Sequence, residues 1–191
     1  ALAAERIPVC IETALHVPWR RVAKIAPQVQ TFLVDLKIVG DEGLHRKLTK
    51  QGTALISRNI RKLIDLHPDV RFRMVIVPGY NDRERDIRAA AEYLKSLGHS
   101  SIELLKYHNM YEDKARRMGL KVEPLNITPE QSLEAVKRAV ELFESSGIRA
   151  LCRELEASRN KAVFSQRVYD IQNAIRQSDR HSLTAVVVRV D

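Results

Sequence analysis

The stretch Thr31-Phe32-Leu33-Val34-Asp35-Leu36-Lys37-Ile38-Val39 decides how this chain is read. Side chains on a strand alternate between two faces, so Phe32, Val34, Leu36 and Ile38 share one, and Leu33, Asp35 and Lys37 share the other. The first face is wholly apolar, as a strand covered by helices requires. The second carries two opposite charges into what should be another covered face of a parallel sheet. Charge placed there is costly unless it is paired or solvated in a cleft. Two readings account for it: a structural ion pair, or a ligand-binding pair at the mouth of a barrel.

On either side of this strand, strand-like and helix-like segments alternate, which points to parallel βα units. A first strand is expected over about Ile7 to Thr13, with Cys10 as a small core residue. A short helix follows Pro18 and ends before Pro27. After the charged strand, Ile56, Ile60, Leu63 and Ile64 fall at helical spacing. Val70 to Val77 reads as a strand closed by the turn Pro78-Gly79-Tyr80-Asn81-Asp82. Asn81 with Glu84 predicts a capping box opening a helix whose stripe is Ile87, Ala91, Leu94 and Leu97, stopping at Gly98. A strand from Ser101 to Tyr107 ends at His108, and Asn109 to Asn126 is irregular. Thr128-Pro129-Glu130-Gln131 opens a helix with Leu133, Val136, Val140 and Phe143 inward, stopping near Gly147. Ile148 to Cys152 is one more strand. The expected fold class is α/β: part of a barrel or a small open sheet over residues 1–153. Residues 154–191 form a tail, with Val168, Ile171 and Ile175 suggesting a helix before the apolar run Leu183 to Val190.

Composition narrows the function classes. The chain has 191 residues, 45% hydrophobic and 29% charged, which suits one medium soluble domain. No apolar run approaches the roughly 20 residues that span a bilayer, and no signal-peptide pattern opens the chain. The net charge of +8 is scattered among acids, without a basic tail or interleaved aromatics, so a dedicated nucleic-acid face is not expected. Two distant cysteines, Cys10 and Cys152, form no disulfide framework and suggest a reducing cytoplasm.

In parallel barrels functional groups collect where strands end. Those positions hold Glu12, Thr13 and His16, then Asp35 and Lys37, then Arg71 and Arg73, and finally His108. Acids, a lysine, an arginine and a histidine together suit a zwitterion, the acid accepting from an ammonium and the cations holding a carboxylate. Each also has a plainer reading. His16 is equally a loop histidine, Arg71 a cap on the sheet edge, His45 a residue on an exposed helix, and His67 a loop residue beside Pro68.

These residues carry a resemblance. Ile11-Glu12-Thr13-Ala14-Leu15-His16-Val17-Pro18-Trp19 is similar to the acid-threonine strand end of glycyl-radical-enzyme activating enzymes. Val34-Asp35-Leu36-Lys37 resembles their Asp-Leu-Lys strand. Val75-Ile76-Val77-Pro78-Gly79-Tyr80-Asn81-Asp82 resembles their Val-Pro-Gly turn, and Ile102-Glu103-Leu104-Leu105-Lys106-Tyr107-His108 their Leu-Leu-Pro-Tyr-His strand. Order and spacing agree from about Ala1 to Cys152, most closely with the pyruvate formate-lyase activating group. The resemblance implies the back half of a TIM-like (β/α)6 radical S-adenosylmethionine barrel. In that family a [4Fe–4S] cluster donates an electron to S-adenosylmethionine, and the resulting radical takes hydrogen from a glycine of the partner, pyruvate formate-lyase or a relative. By matching positions it implies that Asp35, Lys37 and His108 contact the methionine part of the cofactor, with Arg73 nearby. Glu12, Thr13 and Asp35, with the Leu33 carbonyl, would form a monovalent-cation site.

Lys106 stands where proline is common in the family, and Glu12 where aspartate is common. The cluster motif C-x-x-x-C-x-x-C and the Gly-Gly-Glu strand end are absent, and iron–sulfur clusters need several thiolates. Ala1 to Glu5 reads as a helix tail, so the chain is expected to begin mid-barrel, as the C-terminal portion of such an enzyme and inactive alone. An exposed sheet edge then predicts self-association. Two rival readings remain open: a non-catalytic degenerate homologue that binds a ligand or partner, and an unrelated aldolase-like barrel piece with Lys37 as a Schiff-base amine.

Overall fold

Five strands lie side by side in the order in which the chain makes them, β1 (Cys10–Thr13), β2 (Thr31–Leu36), β3 (Val70–Ile76), β4 (Ser101–Lys106) and β5 (Arg149–Leu151), and every neighbouring pair is parallel. This computed structural model describes residues 8–121 and 123–156. The chain divides into two compact units, Ala1–Arg153 and Glu154–Asp191, and the sheet belongs to the first. The readings made for Ala1 to Glu5, for the helix around Val168 to Ile175 and for the run Leu183 to Val190 lie outside the described residues.

Helices fill the connections: α1 (Trp19–Ile25) with a 3₁₀ turn at Ala26–Gln28, α2 (Glu42–Thr49) and α3 (Ala54–Leu66), α4 (Glu84–Ser96), then α5 (Met110–Arg117) and α6 (Pro129–Ser145). Parallel crossovers are right-handed, so a sheet that always steps the same way places its helices on one face. Burial follows this rule. Phe32, Val34 and Leu36 of β2, Phe72, Met74 and Ile76 of β3, and Ile102 and Leu104 of β4 are buried. The alternate positions Leu33, Asp35, Arg73, Val75, Glu103 and Leu105 are half-buried. Ile60 and Leu63 of α3, Ile87 and Leu94 of α4, and Phe143 of α6 complete the core. None of the helices is long and apolar enough to cross a membrane, among the described residues.

Several local expectations change. Cys10 is exposed, because its pairing with Thr31 places it on the face without helices. His45 lies on α2 but is buried, and its Nδ1–H donates to the Gln51 carbonyl at 2.9 Å, closing the turn after the helix. Part of the stretch read as irregular forms α5. The capping box at Thr128 and Gln131 forms, but the buried face of α6 is Ser132, Ala135, Val136, Ala139 and Phe143, with Leu133 and Val140 only half-buried. Leu97 is likewise half-buried beyond the end of α4, and β5 is shorter than the strand expected there.

The predicted box at Asn81 and Glu84 does not form; α4 opens after Arg83 without a side-chain cap. The Asn81 amide is used elsewhere. It accepts the Val77 amide at 2.7 Å and donates to the Val75 carbonyl at 2.8 Å and the Lys37 carbonyl at 3.1 Å. Buried at 4% exposure, it ties the end of β3 to the end of β2. Replacing it by leucine removes the Asn81 partner of three part-buried backbone groups. Asn81→Leu should therefore lower stability by about 3 kcal/mol, seen as a reduced urea midpoint at unchanged slope.

Candidate functional site

Register builds the charged cluster. Asp35 pairs with Arg73 across β2 and β3, and Glu12 pairs with Leu33 across β1 and β2, so all three side chains rise from the helix-free face. Arg73 sits between the two acids. Its Nε donates to Asp35 Oδ1 at 2.5 Å, and its two terminal nitrogens donate to Glu12 Oε1 and Oε2 at 2.8 and 2.6 Å. Lys37 Nζ donates to Asp35 Oδ2 at 3.1 Å. The resulting row, Glu12–Arg73–Asp35–Lys37, alternates in sign and sums to zero formal charge. Arg73 is its anchor at 14% side-chain exposure, while Lys37 at 41% and Glu12 at 59% lie at its open ends. Hydrogen bonding to Arg73 holds the Glu12 carboxyl below its usual 4.5, and the two carboxylates raise the already high affinity of Arg73 for its proton.

Two supports fix the strand ends that carry the row. After β1, the Leu15 amide donates to Thr13 Oγ1 at 2.9 Å, and Leu15 turns into the left-handed region at φ 57° with its side chain buried. Asn59 of α3, fully buried, donates from Nδ2 to the Leu15 carbonyl at 2.9 Å and the Val17 carbonyl at 2.8 Å. The Asn81 bond to the Lys37 carbonyl holds the end of β2 in the same way. Neither asparagine was anticipated as a site support. Asn59 occupies the apolar stripe of its helix, and a polar residue on such a stripe was the available signal.

The other expected residues scatter. His108 is exposed just beyond β4, where it lines a cavity of about 70 Å³ with Lys106, Tyr107, Ile127 and Ser132. Arg71 pairs with Asp69 at 2.8 Å near the start of β3, which is the central strand of the sheet. His67 receives the Asp69 amide and reaches the Val29 carbonyl, while packing edge-on against Phe32, so it is a structural loop residue. His16 is exposed in its loop. A larger cavity of about 270 Å³ opens at the end of β2, lined by Asp35, Lys37, Ile38, His45, Ile60 and Tyr93 among others.

Comparison with known proteins shows what the chain is similar to. The chain is 31% identical over 144 residues to the trans-4-hydroxy-L-proline dehydratase activating enzyme of Clostridioides difficile, covering 73% of this chain and 46% of that protein. It is 28% identical over 153 residues to the (2S)-3-sulfopropanediol dehydratase activating enzyme of Klebsiella oxytoca, covering 78% and 48%. The pyruvate formate-lyase-activating enzyme of Staphylococcus epidermidis is 30% identical over 129 residues, covering 67% and 51%. The chain is a homologue of the glycyl-radical-enzyme activating enzymes. No protein-family model matches it. It spans about half the length of these curated relatives. Among solved structures, a domain of the pyruvate-formate lyase-activating enzyme from Bacteroides vulgatus matches with TM-score 0.58 at 22% identity, covering 78% of this chain and 83% of that one. A radical SAM methyltransferase from Sphaerobacter thermophilus matches with TM-score 0.52 at 18% identity, covering 75% and 39%. These likenesses fix the fold of the homologue as a partial barrel of parallel strands.

The residues present do not suit an iron–sulfur cluster. Cys10 is exposed on β1 and Cys152 buried after β5, and no group of three or more His, Cys, Asp or Glu among the described residues is placed to hold a metal ion. At the cation position suggested by the family likeness, the Arg73 guanidinium already bridges Glu12 and Asp35, and Thr13 Oγ1 is engaged by the Leu15 amide.

Two measurements test this geometry. A carboxyl whose folded pKa is depressed stabilises the fold above its unfolded pKa, and that contribution is lost as pH falls through the folded value. Carbon-detected NMR should therefore show Glu12 titrating below 4.5, and Arg73→Gln should move it back to 4.5 or above. The substitution should also flatten the acid-side loss of stability below that pH. Tyr93 places a buried hydroxyl, with no hydrogen-bond partner among the described residues, beside the larger cavity. Tyr93→Phe should raise stability by about 1 kcal/mol in urea denaturation, since an unsatisfied buried polar group costs about that much or more.

Proposed function

We propose that this chain forms the cofactor-orienting portion of a radical S-adenosylmethionine enzyme that activates a glycyl radical enzyme, with pyruvate formate-lyase or a relative as partner. The observation that supports it is the neutral row Glu12–Arg73–Asp35–Lys37 across the three adjacent strands β1, β2 and β3 of a chain whose homologues are such activators. A row of alternating charge accommodates a zwitterion without gaining net charge. Asp35 Oδ2 would release Lys37 and accept the methionyl ammonium, freeing Lys37 to hold the carboxylate. Arg73, kept in place by Glu12, would hold Asp35 in position throughout. His108, beyond the end of β4, would meet the same ligand from the neighbouring strand end. A monovalent cation at Glu12 and Asp35 would have to displace Arg73. When bound, S-adenosylmethionine supplies the hydrogen-abstracting radical.

Two cysteines are fewer than the several thiolates a cluster needs, so this chain by itself is expected to be inactive. The Schiff-base reading fits less well. Such an amine works desolvated or beside another cation, whereas Lys37 is 41% exposed and paired with an aspartate.

Titration with S-adenosylmethionine, followed by amide NMR, tests the reading. Shifts should centre on Asp35, Lys37 and His108, and both Asp35→Asn and Lys37→Met should weaken binding about tenfold, the loss of one charge-assisted contact. Binding indifferent to both substitutions would sink the proposed site. Binding of pyruvate formate-lyase without any response to S-adenosylmethionine would favour a non-catalytic partner-binding module.

A further inference from the structure

We propose that the outward face of α5 is the docking surface for the partner protein, and that it takes a segment of mixed apolar and acidic character. This rests on the activator reading above. Three of the large apolar side chains left exposed lie within eleven residues of one another: Met110 at 72%, Met118 at 63% and Leu120 at 56%. Met110, Lys114 and Arg117 fall at i, i+4 and i+7, so they share one face of α5, and Met118 follows directly as its C-cap. Ala115, off this face, is buried. Lys121 follows, so cations interleave with the exposed apolar groups.

Location adds to composition. All strands are parallel, so α5, which begins four residues after β4 ends, stands at the same end of the sheet as Lys37. A protein whose backbone is to be modified must rest against that end.

Charge complementarity selects the occupant. Methionine and arginine are enriched at protein interfaces, where flexible thioethers fit irregular apolar partners and guanidinium groups pair with carboxylates at the rim. A nucleic acid would meet the cations but leave Met110, Met118 and Leu120 uncovered. A membrane would need more apolar area than an eight-residue helix offers.

The test uses the full chain and three probes named by its relatives: pyruvate formate-lyase, trans-4-hydroxy-L-proline dehydratase and (2S)-3-sulfopropanediol dehydratase. Binding is measured by interferometry for the native chain, for Met110→Glu with Met118→Glu, for Arg117→Glu, and for Leu66→Glu as an exposed apolar control on α3. At least one probe should bind the native chain, more weakly as salt rises. The α5 variants should lose about tenfold or more, as at interface hot spots, while the control changes less than twofold. Unchanged circular dichroism would show that the variants fold. Equal binding by the α5 variants would overturn the docking surface and leave the activator reading standing. Failure of every probe to bind the native chain would overturn both. Loss of concentration-dependent self-association in the same variants, or their loss of binding to phosphatidylglycerol vesicles or duplex DNA without loss of protein binding, would assign the face to another occupant and overturn the proposal.

Discussion

The site depends on one guanidinium placed between two carboxylates from different strands. Arg73 is the least exposed member of the charged row, and it uses all three nitrogens on Glu12 and Asp35. Without it, two carboxylates would lie diagonally across neighbouring strands on one face with no cation between them, and their charges repel. With it, β1, β2 and β3 are clasped on the face that has no helices to hold them. The same contact serves stability and orientation. It removes a repulsion, and it leaves Lys37 on a weaker, more exposed bond of the same aspartate.

Much of this was legible in residues 31–39. Alternation along β2 predicted which side chains would be buried, and the structure buries Phe32, Val34, Leu36 and Ile38. It also predicted that Asp35 and Lys37 share a face, and they do. Among the described residues no helix covers this face, because a sheet with strands in chain order carries its helices on one side. That difference explains Cys10, which a period-two reading alone could not place on either face. The asparagines were missed for another reason. Asn81 looked like a helix cap by spacing, yet its amide satisfies backbone groups of two strands, and such long-range demand leaves no local pattern in a sequence. α5 was missed because its sequence is charge-rich and shows no long apolar stripe; among its described side chains Ala115 is the buried one.

The departures from the family pattern also acquire physical form. Lys106, where proline is common, lies at the last position of β4 and faces the start of α6; Glu130 there is held below its usual range chiefly by hydrogen bonds from its own backbone amide and Thr128, with Lys106 adding a smaller electrostatic pull. A strand end that needs no proline to stop it can instead carry charge towards a helix that begins nearby. Glu12, where aspartate is common, has one more methylene, and that length suits the two-pronged bond to Arg73.

Strand order has a kinetic side as well. In the described sheet each pairing joins strands that are consecutive in the chain, so each closure spans a single βα unit. Loop-closure cost rises slowly with length, by about 0.6 kcal/mol for each doubling, and long-range pairings delay folding most. A sheet assembled in this order can grow from any adjacent pair, one hairpin-free crossover at a time. Units added at the β1 side would leave the pairing from β2 to β5 undisturbed, so the described sheet could form as a cooperative block before any neighbour joins it.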